Sequence, residues 1–193
     1  MNKVYHYTKG YNVGNIILNK QIEAYSHSSI KMPNEKFVWL TTSENYPVSA
    51  LPAIQEIPET LMLNQMIERK SVDLLNLAKL VGGIWRFEFN RRKHPEIMAW
   101  FGSYQRKKFV KQPYGMIIES SAIAVGDDIT LWSIANMKLS IMDSILQQLT
   151  PKGWIDRVSF FKNQGEMNIE EIGGSNLNKI IIDSISLSRV VHG

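Results

Sequence analysis

The chain has 193 residues, 44% of them hydrophobic and 21% charged, the balance of a folded globular protein rather than a disordered one. It contains no cysteine, which excludes disulfides, thiolate metal sites, iron–sulfur clusters and cysteine nucleophiles. The formal charge of +4 and a pI near 9.2 suit acidic partners without requiring them.

This length predicts one domain over residues 1–193, large enough for one sizeable core. The opening residues Met1 to His6 lack the apolar core of a signal peptide. No apolar run approaches the ~20 residues that span a bilayer. A cytoplasmic location away from membranes is the expectation. No internal repeat or low-complexity tract is present.

Lys3 to Thr8 is a β-branched and aromatic run ended by Lys9-Gly10, which predicts a strand and a turn. A helix is expected next, with Asn12 as N-cap, Val13, Ile16 and Ile17 on one face, and an end near Asn19-Lys20. Phe37 to Thr41 predicts a second strand that runs into polar Thr42-Ser43-Glu44-Asn45. Pro47, Pro52 and Pro58 forbid a long helix across their segment, and Glu59 to Leu80 carries apolar residues at helical spacing.

Gly82-Gly83 ends that helix, and Ile84 to Phe89 alternates as a half-buried strand does. Helical spacing predicts helices over His94 to Lys108 and Asn136 to Leu149, with weaker strands at Ala122 to Val125 and Ile129 to Trp132. Asp156 to Phe161 and Ile180 to Ser186 are expected as strands joined by the polar, Gly-rich stretch Lys162 to Asn178. Strands near both ends and helices in the middle predict an α+β domain whose terminal segments meet in one sheet.

The basic residues gather at Arg91-Arg92-Lys93 and Arg106-Lys107-Lys108 with Lys111, interleaved with Trp100, Phe101, Tyr104, Phe109 and Tyr114. That mixture suits nucleic acid, with phosphates held by the cations and bases stacked on the rings. It also reads as a solvated helix face with its aromatics turned inward. No metal site is expected, because His27, His94 and His192 are scattered and no H-E-x-x-H or calcium loop occurs. P-loop, G-x-G-x-x-G and G-x-S-x-G patterns are also missing.

Tyr5-His6-Tyr7-Thr8, the helix with Asn15-Ile16-Ile17, the return to Ile22 and then Val38-Trp39-Leu40-Thr41-Thr42 resemble the opening of ADP-ribosyltransferase-like proteins. That family takes in DNA-modifying toxins of the DarT type and RNA 2′-phosphotransferases. The resemblance covers residues 4 to 45, and later only Trp85-Arg86 and Arg157-Val158-Ser159-Phe160. It implies two small mixed sheets around a cleft, with helices inserted in the middle of the chain and NAD between the sheets.

Carried over, His6 would hydrogen-bond a ribose hydroxyl of NAD, Thr8 would support it, and Thr41, Thr42 and Ser43 would shape the nicotinamide side. Arg86 would grip the pyrophosphate, and Gln164-Gly165-Glu166 would supply a catalytic glutamate, Glu166. A carboxylate there would stabilise the oxocarbenium-like charge that builds as the nicotinamide–ribose bond breaks. The H-x-T opening and the Q-x-E closing belong to different branches of the family, and no tyrosine stands at the centre of the second strand.

Each residue also has a structural reading. Glu166 and its neighbours are ordinary turn chemistry, His6 suits a backbone partner, and Thr42 or Ser43 suits a cap. An arginine such as Arg86 on a strand is commonly solvated or paired with an acid. Two functions therefore stand: an NAD-dependent ADP-ribosyltransferase or NAD glycohydrolase, with His6 and Glu166 at its centre, and a non-catalytic binding module of the same fold. The module would hold a nucleotide, nucleic acid or a protein partner.

Overall fold

Strand β1 (Lys3–Lys9) forms from the Val-Tyr-His-Tyr-Thr run, where branched and aromatic side chains favour extended backbone. The computed structural model describes residues 2–24, 36–47, 75, 78–79, 81–101, 114–124, 126–136 and 138–192. The expected helix Glu59 to Leu80 lies almost wholly outside these residues, as does the segment with Arg106, Lys107, Lys108 and Lys111.

Helix α1 (Gly10–Asn19) follows β1 directly and buries Val13, Ile16 and Ile17, as its spacing predicts. It starts two residues before Asn12, with Lys9 at the N-cap and no side-chain cap. Close backbone approach accounts for the early start: the Gly10 amide donates to the Gly83 carbonyl at 2.9 Å. A side chain at Gly10 would put its Cβ 1.9 Å from the Gly82 oxygen. Lys20, left-handed at φ 56°, ends the helix.

The remaining strands are β2 (Gln21–Ile22), β3 (Val38–Thr41), β4 (Ile84–Asn90), β5 (Ile97–Ala99), β6 (Trp132–Ala135), β7 (Leu139–Ser140), β8 (Ser144–Thr150), β9 (Gly153–Asn163) and β10 (Glu166–Glu171). Helices α2 (Tyr114–Ala124) and α3 (Leu177–His192) complete the described elements, with a 3₁₀ turn at Ile129–Leu131.

Eight strands make one sheet in the order β10-β9-β8-β4-β1-β3-β6-β5, and β2 pairs with β7. Every neighbouring pair is antiparallel. The α+β class holds, but a single eight-stranded antiparallel sheet and a short ribbon replace the expected two small mixed sheets. A seam does divide the large sheet: β1 and β3 share one register pair, Tyr5 opposite Thr41, whereas β1 and β4 share seven.

The two faces of the sheet are covered differently. Val4, Leu40, Phe87, Leu146, Val158 and Phe160 form a core with α1 on one face. Helix α3 closes that core through Ile180 and Ile181, which pack against it. The α1–α3 crossing is tight at Gly14, whose amide donates to the Ser184 hydroxyl at 2.8 Å. On the other face a second core gathers Phe37, Trp100, Trp132 and Ile134 beneath Ile118 and Ala122 of α2. The rest of that face, over β1, β4, β8 and β9, carries polar and aromatic groups.

Several expected elements are corrected. Ile97–Ala99 is a strand rather than part of a helix over His94 to Lys108. Asn136 to Leu149 folds as β7 and β8 rather than as a helix, because Leu139, Ile141, Ser144 and Leu146 must all enter the core beneath α1. Ile180 to Ser186 is the middle of α3 rather than a strand, since its apolar positions pack on α1 at helical period. Ala122 to Ala124 ends α2, Ile129–Leu131 is a 3₁₀ turn before β6, and the stretch Lys162 to Asn178 contains β10. Strands thus run through the middle of the chain as well as its ends.

Candidate functional site: a buried arginine on the face of the sheet opposite α1 and α3

Side chains two apart along a strand share a face, and directly paired residues do too. Tyr7 pairs with Arg86, Arg86 with Gln147, and Gln147 with Asp156 across β1, β4, β8 and β9. Tyr5 and Glu88 stand on the same face. These are the groups that the face not covered by α1 and α3 brings together.

Arg86 is 5% exposed. Its guanidinium carbon lies 4.1 Å from the Tyr5 ring centre, 4.2 Å from that of Trp154 and 5.9 Å from that of Tyr7. Such cation–π contacts strengthen as water is excluded, to about 2 kcal/mol each. The Nε–H donates to Gln147 Oε1 at 2.5 Å, and Nη1 donates to the Tyr7 hydroxyl at 3.2 Å and the Glu44 carbonyl at 2.8 Å. Nη2 donates to no group among the described residues, and the only buried side-chain atom there without a partner is His94 Nε2, so Nη2 keeps a path to solvent.

No carboxylate of the described residues lies within ion-pair distance of Arg86; the Glu44 carboxylate accepts from the Tyr5 hydroxyl at 3.4 Å, and two further acids on this face are held by other groups. Gln147 Nε2 donates to Asp156 Oδ1 at 2.7 Å and reaches Glu88 Oε2 at 3.5 Å. Lys3 Nζ holds Glu88 Oε1 at 2.7 Å, and that hydrogen bond raises the Lys3 pKa. Burial pushes the Tyr7 hydroxyl up to about 12, against the pull of Arg86. Burial raises Tyr5 and Tyr46 as well. The tyrosines are therefore neutral and act as hydrogen-bonding walls around a fixed cation.

Loop 42–46 closes one side of this cluster. Tyr7 donates to the Ser43 carbonyl at 2.9 Å, and the Tyr7 and Tyr46 rings meet edge to face at 5.1 Å. The hydroxyls that the sequence singles out shape the loop itself. Thr41 Oγ1 accepts from the Ser43 amide at 3.0 Å, Ser43 Oγ accepts from Asn45 at 3.2 Å, and Thr42 Oγ1 donates to the Leu131 carbonyl at 3.3 Å. Arg86 reaches this loop at the Glu44 carbonyl and through Tyr7, which bonds the Ser43 carbonyl.

His6 and Thr8 stand on the opposite face, paired with Phe87 and Trp85. Thr8 is buried. The His6 Nδ1 bonds the Trp39 carbonyl across the seam at 2.9 Å, which requires the proton on Nδ1 and leaves Nε2 as an acceptor when the ring is neutral. Burial lowers the His6 pKa, with the Trp39 bond opposing.

Glu166 begins β10 after the Gln164-Gly165 turn and is exposed. It pairs with Asn163, three residues from the core residue Phe160, so it points away from the face that carries His6. Strand β10 lies four positions from β1, about 19 Å across the sheet. His6 and Glu166 therefore line no common groove.

The tyrosines 5 and 7, Gln147 and Trp154 are site residues that the sequence reading passes over. The signal for the first two was the alternation of β1 itself, which sets them opposite to His6. The basic turn at Arg91, Arg92 and Lys93 joins β4 to β5, and Lys93 pairs with Asp143 at 2.9 Å. Arg106, Lys107 and Lys108 lie outside the described residues. No group of three or more metal-ligating side chains occurs among the described residues, and no helix there is long and apolar enough to cross a membrane. Compared with known protein families, curated proteins and solved structures, the chain matches none.

Proposed function

We propose that this chain is a nucleotide-binding module of ADP-ribosyltransferase-like ancestry that takes the phosphates of NAD or a related nucleotide at Arg86. The observation that carries the reading is an arginine 5% exposed, with no carboxylate of the described residues within ion-pair distance. Buried charges are normally paired. An arginine fork is suited to two oxygens of a phosphate or carboxylate, and Nη2 is the part of it that no described residue uses. Tyr5 and Trp154 border the guanidinium, and Trp154, which is only half-buried, offers a flat surface to a base or nicotinamide. The seam between β1 and β3, bridged by His6 and Tyr7, is where a cleft between two half-sheets would open in that architecture.

The separation of His6 from Glu166 favours binding without turnover through that pair. Titration calorimetry with ADP-ribose, NAD and nicotinamide riboside tests the reading. ADP-ribose and NAD are expected to bind and the phosphate-free nucleoside is not, with Arg86→Lys weakening the first two by about tenfold. Incubation with NAD is expected to release no nicotinamide from the native chain or from Glu166→Gln. Release that depends on Glu166 would restore the transferase reading, and indifference of binding to the phosphates would remove the module.

A further inference from the structure

We propose a second site, independent of Arg86 and on the other face of the sheet, for a small phosphorylated polyol in the cavity beneath the first turns of α3. The cavity has a volume of about 390 Å³, within the range of small-molecule sites. Arg157, Gln148 and Trp85 form its sheet wall, and Lys179, Asp183 and Ser184 its helix wall. Gly10 and Gly82 also line it.

The sheet wall is built by an irregularity. Leu146 pairs with Val158, but the next residue of β8, Gln147, pairs with Asp156. Arg157 is the extra residue of a β-bulge, a device that re-aims a side chain. By simple alternation Arg157 would share the face of Ser159. Instead its Nε donates to Gln148 Oε1 at 3.0 Å, on the helix side of the sheet. The Ile172 amide fixes the bulge by donating to the Arg157 carbonyl at 2.8 Å. With Nε held, the two terminal nitrogens of Arg157 have no partner among the described residues, and no ion pair there involves Arg157 or Lys179.

Lys179 and Asp183 stand one helical turn apart on α3, both on the cavity wall and not joined as an ion pair. Two cations facing one recess concentrate anions there, and a planar fork beside a point charge suits a phosphate group. Asp183 accepts hydrogen bonds only, so it disfavours a second anionic group and favours hydroxyls. With two cations and one carboxylate on its wall, the cavity suits a ligand that gives one phosphate to Arg157 and Lys179 and hydroxyls to Asp183. The helix start contributes little, because Asn176 and Glu171 side chains already accept from the Lys179 and Leu177 amides.

Calorimetry and phosphorus NMR with ribose 5-phosphate, inorganic phosphate and ribose provide the test, at low salt and with sodium sulfate as competitor. Ribose 5-phosphate is expected to bind more tightly than inorganic phosphate, ribose not to bind, and Arg157→Gln and Lys179→Gln each to weaken binding by about fivefold. Asp183→Asn should erase the preference for the sugar phosphate. Arg86→Lys is expected to leave this binding unchanged, which separates it from the nucleotide reading. Binding that survives both Arg157→Gln and Lys179→Gln, binding lost with Arg86→Lys instead, or no binding by a native chain with intact circular dichroism would overturn the proposal.

Discussion

The guanidinium of Arg86 lies 4.2 Å from the ring centre of Trp154, although the two residues stand on strands separated by β8. Gln147 fills the position between them, accepting from Arg86 Nε and donating to Asp156 beside Trp154. A cation, an amide and a carboxylate thus lie in a row across three strands, and each restrains the next.

Replacing Arg86 with Met should expose the cost of that arrangement. It removes three donated hydrogen bonds and leaves the acceptors of Gln147, Tyr7 and Glu44 without them. We expect a loss of about 3 kcal/mol in unfolding free energy, measured by urea denaturation. Arg86→Lys should lose roughly half of that, because the charge stays and the fork is gone.

Acid should weaken the native chain through His6. Its pKa in the folded state is held below the ordinary 6.5 by burial, so the unfolded chain binds the proton more readily. That stabilising contribution is complete above pH 6.5 and declines as pH falls from there through the folded value. The urea midpoint is expected to drop between pH 7 and pH 5, and His6→Asn should flatten that part of the profile.

Alkali acts in the other direction through Tyr7. With its hydroxyl raised from 10.0 to about 12, the folded state keeps a proton that the unfolded state gives up. Stability is whole below pH 10 and falls as pH rises toward 12. Absorbance titration at 295 nm should show tyrosine ionisation delayed to that range, and Tyr7→Phe should remove one delayed group.

Gly10→Ala tests the close passage of α1 over the Gly82–Gly83 turn. Its methyl carbon would stand 1.9 Å from the Gly82 oxygen, and backbone on both sides leaves no flexible side chain to yield. A loss of about 3 kcal/mol is expected, read as a lower thermal midpoint. Ser184→Ala, which removes only the partner of the Gly14 amide, should cost about 1 kcal/mol.

The opening of the chain was legible because its signals are local. Val13, Ile16 and Ile17 mark the buried face of α1, and the alternation from Ile84 to Phe89 gives β4. Residues 139 to 149 misled because β8 is buried on both sides at Leu146 and Gln147, which erases the two-residue period, while Ile141, Ile145 and Leu149 happen to fall at helical spacing. The Ile180-Ile181-Ile182 run has strand propensity, but packing on α1 at Ser184 and Gly14 overrides it. Arg86 could be picked out on its strand. Its partners Gln147 and Trp154 could not, because the segment of β8 reads as a helix, the strand expected in β9 begins only at Asp156, and their contacts depend on sheet order.

The bulge in β9 carries a consequence for the economy of the sheet. Removing residue 157 would let Asp156 and Val158 follow one another in an unbroken ladder, with every other side chain of β9 on the face it already occupies. The strand therefore contains one residue more than its hydrogen bonding requires. A chain shortened there should fold with its hydrophobic interior intact and lack only a single positive charge beneath α3.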